Sequence, residues 1–199
     1  MELFFSPLAC SLASRIAIHE AGLDAAFTQV DLKTKTLSDG DDYRPTYALG
    51  LVPALRTEDG ALLTENVAVL LHLSERAGQP TTPDLVRWLS FIATELHKGT
   101  FNPVFDRHAP EEAKRYALSK AGPRLAFVDA HLRDHEHLLD APSVADFYLY
   151  TVLNWLAPTP LELSDYPALQ AFHDRMTKRP SVARAFREEL PLYQALKAS

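Results

Sequence analysis

The chain changes character at Gly78–Pro83 (GQPTTP), and this change limits its possible folds more than any other feature. Ahead of it, strand-like and helix-like stretches alternate; behind it, the periodic stretches are helical. Strands must pair within a sheet and helices must bury an apolar stripe. Such a chain is therefore expected to fold as an α/β domain followed by an all-helical one. The Pro-containing stretch itself has the composition of a linker. The expected layout is an α/β domain over residues 1–77, a linker over 78–84 and a helical domain over 85–199.

Within the first part, Glu2 to Ser6 reads as a strand. CSLASRIAIHEAG reads as a helix, with Leu12, Ala13, Ile16 and Ala17 at helical spacing and Gly22 at the stop position. Phe27 to Leu32 alternates like a half-buried strand, and residues 33–50 are polar and turn-rich, a helix or a loop. LVPALRTEDGALLTE reads as a hairpin turning at Glu58, Asp59 and Gly60, and a helix follows with Val67, Leu70 and Leu71. The order β-α-β-(helix or loop)-β-β-α suits a four-stranded sheet covered by helices. In the second part, Leu85, Trp88, Leu89, Ile92 and Leu96 form one apolar stripe. A second helical region runs from about Glu111 to His135, where Gly122 and Pro123 are expected to break or kink it. Ser143 and Asp146 form a capping pair ahead of a helix that is apolar nearly all round, as a central buried helix would be. Shorter helices are expected from near Pro167 and Pro180.

Composition removes several function classes. No stretch approaches the ~18 apolar residues of a membrane helix, and Glu2 and Pro7 without a basic flank argue against a secretory signal. A single cysteine excludes an intrachain disulfide and fits a reducing, cytoplasmic setting. The net charge of −6, with scattered basic residues, argues against nucleic acid as a partner. His131, His135 and His137 include an i, i+4 pair, but no cysteine or carboxylate cluster completes a site, so no metal is expected.

Three places could carry chemistry. Cys10 stands at the start of the first helix, where unpaired N–H groups and the helix dipole favour a thiolate; alternatively it is a small buried apolar residue. With Ala13 in place of a second cysteine, any disulfide it makes is with an outside thiol. Val52-Pro53, directly before a strand, suggests a cis peptide whose Val52 backbone can pair with an extended peptide, or simply an edge-strand proline. Thr64-Glu65-Asn66 offers an acceptor for an ammonium and, with the helix N-terminus, donors for a carboxylate; it also reads as a plain cap.

The runs FFSPLACSLASRIAIHEAGL, GDDY, LVPAL, EDGALLTENVAVLLHL, IATELHKG and SVADFYLYTVLNW together resemble the bacterial beta-class glutathione transferases, in order and over nearly the whole chain. The resemblance implies a thioredoxin-like βαβαββα domain, a helical domain with an electrophile-binding cleft and dimer contacts, a homodimer, and glutathione as cosubstrate. It implies that Cys10 meets the glutathione sulfur with Ser11 beside it. Lys35 would contact the tripeptide, and Val52 ahead of Pro53 would pair with the cysteinyl backbone. Glu65 and Asn66 would bind the γ-glutamyl end. His97 would reach the sulfur site from the helical domain, with Lys98 adding positive charge. The tyrosine often found near the first strand is replaced by Phe4 and Phe5, and Asn66 stands where the family has a smaller residue.

The function so implied is a glutathione transferase directing the thiolate at small hydrophobic electrophiles held among Phe5, Leu8, Phe101, Phe105 and Trp155. Thiol-transferase or peroxidase activity through Cys10 is a second outlet. The competing reading is a non-catalytic protein of the same fold that binds apolar ligands or a protein partner.

Overall fold

Leu3, Phe4 and Phe5 are three consecutive buried side chains, so β1 (Glu2–Phe5) can only be a strand covered on both faces. In the computed structural model, which describes residues 1–198, β1 is the middle strand of a five-stranded sheet in the order β3-β2-β1-β4-β5. β2 (Ala26–Asp31) runs parallel to β1, and β4 (Ala54–Arg56) runs antiparallel to it, pairing Phe4 with Ala54. β5 (Leu62–Thr64) pairs back on β4, placing Thr64 opposite Ala54. The fifth strand is β3 (Thr36–Leu37), a two-residue addition on β2. It lies in the stretch expected to be a helix or a loop, where the βαβαββα order has its second helix. With Gly40 at φ 95° and Asp31, Asp39 and Asp42 capping local turns, that stretch spends its polar groups on turns instead of a helix.

Helix α1 (Ser11–Glu20) connects β1 to β2, and α2 (Asn66–Arg76) follows β5. α8 (Pro180–Ala198) packs on α1, so the compact unit built on the sheet comprises Met1–Thr81 together with the chain from Arg179 onward. Glu20 joins this packing by binding Arg179 and Ser181. This differs from the expected helical domain over 85–199, because a helix whose charged residues pair with α1 carries no such address in its periodicity.

The second unit, Thr82–Lys178, is helical. α3 (Pro83–Phe91) begins at Thr82, whose hydroxyl accepts from Leu85 N–H, and it carries the expected buried stripe. The helix continues as a π-helix over Ile92–Phe101 and ends as α4 (Asn102–Phe105). α5 (Glu111–Leu132) runs through Pro123 without the expected interruption. Pro123 and Ser119 lie on the exposed face, so the carbonyl that loses its donor is open to water. Ala117, Ala121, Leu125, Val128 and Leu132 hold the opposite face in the core. α6 (Val144–Leu153) is buried along its whole length, as expected, and its capping box forms: Asp146 accepts from Ser143 N–H and hydroxyl and from Leu138 N–H. α7 (Pro167–Thr177) is capped from α5 by buried Asp129, which accepts from Ala168 and Leu169 N–H. No described helix is long and apolar enough to cross a membrane.

Candidate active site

Sheet register gathers the expected residues of the first unit. β1 ends at the same sheet edge where β4 begins, where β5 ends and where β2 ends. The segments leaving that edge are Ser6–Cys10, Val52-Pro53, Glu65-Asn66 and the loop of Lys35. Among the described residues, the non-glycine residues with positive φ are Leu8 (57°), Lys35 (61°) and Glu65 (64°), and each lies in one of these segments. Such backbone costs about 1–3 kcal/mol per residue and collects where a site demands it.

Cys10 is the N-cap of α1 and is 7% exposed; its Sγ–H donates to the Val52 carbonyl at 3.2 Å. The thiol and the peptide-pairing residue are thus in direct contact. The Val52-Pro53 bond is cis and Pro53 is buried. Ser11 does not present a free hydroxyl: fully buried, it donates to Ser6 C=O and accepts from Ser6 N–H, both at 3.2 Å, closing the loop ahead of the thiol. Lys35 Nζ donates to Gly50 C=O at 2.9 Å, and its methylenes lie across Gly50. A Cβ there would come within 2.7 Å of Lys35 Cδ, and Gly50 has φ 59°, so glycine avoids both displacing the lysine and straining the backbone.

Glu65 has φ 64° and ψ 122°, with its side chain exposed and making no cap bond. Asn66 is 93% buried, and its Oδ1 accepts from Ser14 Oγ at 3.1 Å. Its Nδ2 is buried without a partner among the described residues, an unspent donor at the first residue of α2.

Two supports of this edge had no signal in the residue pattern. Tyr43, fully buried against Phe4, donates its hydroxyl to Leu51 C=O at 3.1 Å and so holds the chain just before Val52. Burial pushes the phenol well above its ordinary range, so it stays a donor. Only its place in GDDY hinted at importance. Glu189 of α8 is fully buried, and its Oε2 accepts from Leu8 N–H at 2.7 Å. Its Oε1 lies 3.0 Å from Arg15 Nε, an ion pair by distance although that N–H is not aimed at the oxygen. The Arg15 guanidinium lies 4.1 Å from the ring centroids of both Phe5 and Phe27 and also reaches Glu188. Phe5, 2% exposed, therefore belongs to this cation–π stack and not to an electrophile pocket.

His97 and Lys98 lie in the helical unit and form a separate group. His97 Nδ1 is 2.7 Å from the Tyr148 hydroxyl, and its ring packs edge-on against Trp155 at 4.9 Å. Phe101 and Phe105 also meet Trp155, at 5.7 and 6.3 Å. Burial, then the charge of Lys98, lowers the His97 pKa to about 4. The imidazole is neutral at pH 7, able to exchange a proton but not to supply fixed positive charge. An NMR titration of the ring should accordingly show no protonation between pH 5.5 and 8, and a midpoint near 6.5 would contradict this environment. The tyrosines within an apolar helix, Tyr148 and Tyr150, are the available clue, since a buried phenol needs a partner. His131 and His135 stack at 4.3 Å and each has a ring nitrogen at a backbone carbonyl.

Residues 9–76 match the glutathione S-transferase N-terminal domain model and residues 91–180 match the C-terminal domain model. The chain belongs to the glutathione S-transferase family. It is 40% identical to glutathione S-transferase GstA of Escherichia coli O157:H7 over 95% of this chain and 98% of that one. A sphingomonad glutathione S-transferase solved in complex with glutathione has 37% identity and a TM-score of 0.90, covering 95% of this chain and 98% of its own. The beta-class enzyme of Sphingomonas chungbukensis gives 39% identity and a TM-score of 0.89 over 95% and 98%. These matches place the transferase within the bacterial beta class and bear out the thioredoxin-like plus helical architecture.

Proposed function

We propose that this transferase binds glutathione extended along Val52 and directs its thiolate at small hydrophobic electrophiles. The observation that carries this reading is the gathering of Cys10, Val52, Glu65 and Asn66 at one sheet edge, with the non-glycine positive-φ residues in the same segments. Val52 offers backbone pairing to the cysteinyl residue, as an added strand would. Glu65 is a free carboxylate for the γ-glutamyl ammonium. The N–H groups opening α2 and the unspent Asn66 Nδ2 supply donors near its carboxylate. Lys35, held at Gly50, adds positive charge to the tripeptide's surroundings.

The bound thiol releases its proton to solvent water in a region of helix N-terminal N–H groups, aided by the Cys10 S–H, and the thiolate forms the new carbon–sulfur bond as the leaving group departs. His97 and Lys98 are proposed, from the family resemblance, to act from the helical unit. The neutral imidazole supports a role in proton exchange, and Phe101, Phe105 and Trp155 are apolar partners for the electrophile. Ser11 acts through the Ser6–Cys10 loop. Cys10 can also attack glutathione disulfide, forming a mixed disulfide and releasing one glutathione. A homodimer in the cytoplasm, with glutathione bound by residues 1–77 and electrophile and dimer contacts in 85–199, completes the proposal.

Calorimetry of glutathione binding, combined with conjugation of an activated aryl chloride by wild-type, Cys10→Ala and His97→Gln proteins, tests it. Saturable binding with turnover is expected, with turnover reduced in both variants. Absence of glutathione binding contradicts the reading at its base.

A further inference from the structure

The ten-residue π-helix at Ile92–Phe101 lies inside an otherwise ordinary helix, and three observations account for it. Pro103 stands at the second position of α4, where α winding would press its ring on the Gly99 carbonyl. The wider turn bonds each group five residues back: Asn102 N–H reaches His97 C=O, and Thr100 Oγ1 donates to Glu95 C=O at 3.0 Å. At Gly99, an added Cβ would lie 2.7 Å from the Thr94 carbonyl oxygen, again five residues back. Only glycine fits that turn without moving the backbone.

The consequence falls on His97, Phe101 and Phe105. Four residues overshoot a full α turn by about 40°, because 3.6 complete it. In a π-helix, four residues fall short of a turn. From 97 to 101 the chain is π and from 101 to 105 it is largely α, so the two deviations oppose each other. The three rings form one row along the helix, and all three meet Trp155. Continuous α winding would spread them by about 80° around the helix, twice the overshoot of one step.

We propose that Gly99 and Thr100 are positioning residues that hold the wide turn and thereby align His97, Phe101 and Phe105 against Trp155. Thr100, fully buried, fastens the turn through its hydroxyl, and Gly99 leaves room for it. The catalytic meaning of the row rests on the proposed role of His97; the row itself does not.

The experiment follows the His97 ring by NMR, its signal assigned by loss in His97→Gln, together with glutathione conjugation of 1-chloro-2,4-dinitrobenzene. Thr100→Val keeps the side-chain shape and removes the bond. It is expected to raise the His97 midpoint by about half a unit or more toward its ordinary value, and to lower kcat several-fold with the KM for glutathione unchanged. Thr100→Ser restores both. Gly99→Ala moves them further in the same direction; should it fail to fold, the valine–serine pair decides alone. A Thr100→Val protein with wild-type midpoint and kcat overturns the proposal. If Thr100→Val moves the midpoint while His97→Gln conjugates at the wild-type rate, the alignment stands and the catalytic role of His97 fails.

Discussion

Above about pH 7, where Glu189 is ionised, replacing it by alanine is expected to lower the unfolding free energy by about 3–5 kcal/mol, the usual loss when one partner of a buried ion pair is removed. Two buried groups lose a partner together: Leu8 N–H loses its acceptor, and the Arg15 guanidinium, itself only 4% exposed, loses a counter-charge. Glu188 remains beside Arg15 but is part-exposed, so it compensates little. Glu189→Gln should lose less, because its amide oxygen can still accept from Leu8. Since Leu8 lies in the segment that delivers Cys10, glutathione affinity should fall alongside stability in the alanine variant. Chemical denaturation and calorimetry measure the two losses.

The same residue gives stability a pH slope of known sign. Burial raises the Glu189 pKa from 4.5 to about 7, although Arg15 and Leu8 N–H oppose the shift. Between these values the folded chain keeps a proton that the unfolded chain has lost, so this contribution to stability declines as pH rises through the window and levels off above about 7. Glu189→Gln should remove that decline. An unchanged slope between pH 4.5 and 7 in the glutamine variant would show that another group carries it.

Glu65→Gly is expected to move stability and binding in opposite directions. At φ 64° and ψ 122° a glutamate pays backbone strain that glycine avoids, so the variant should gain about 1 kcal/mol or less, after glycine's own entropy cost is subtracted. It also loses the carboxylate proposed to meet the γ-glutamyl ammonium. A charge-assisted hydrogen bond is worth ~1.5–3 kcal/mol, so glutathione affinity should fall roughly 10- to 100-fold. Glu65→Ala, which keeps the strain, should lose the same affinity without the gain. Thermal melts of the three proteins, with and without glutathione, separate strain from charge. A glycine variant that binds glutathione as wild type does would remove Glu65 from the site.

Much of this could be read from residues because the signals were local. The apolar run of β1, the Glu58–Gly60 turn and the capping pair Ser143–Asp146 each depend on neighbours within a few positions. Cys10, Val52-Pro53 and Glu65-Asn66 were visible as a thiol, a proline and a cap, and their gathering at one edge follows from strand direction. What escaped depends on distant partners. Glu189 looks like any charge on an amphipathic helix until α8 packs on α1. The unbroken α5 depends on which face Pro123 occupies. The π-helix needs Gly99, Thr100 and Pro103 together, while the stripe from Leu85 to Leu96 suggests α winding throughout. Phe5 reads as a pocket residue in the sequence because nothing in its vicinity announces the Arg15 stack.

Glutathione is proposed to occupy the sheet edge formed by Cys10, Val52 and Glu65-Asn66. Backbone amide NMR of the isotope-labelled protein, titrated with reduced glutathione, tests it directly. Saturable shifts are expected at Cys10, Val52, Glu65 and Asn66, with weak or absent saturation in Glu65→Ala. Saturable shifts confined to other residues, with these four unmoved, would contradict it.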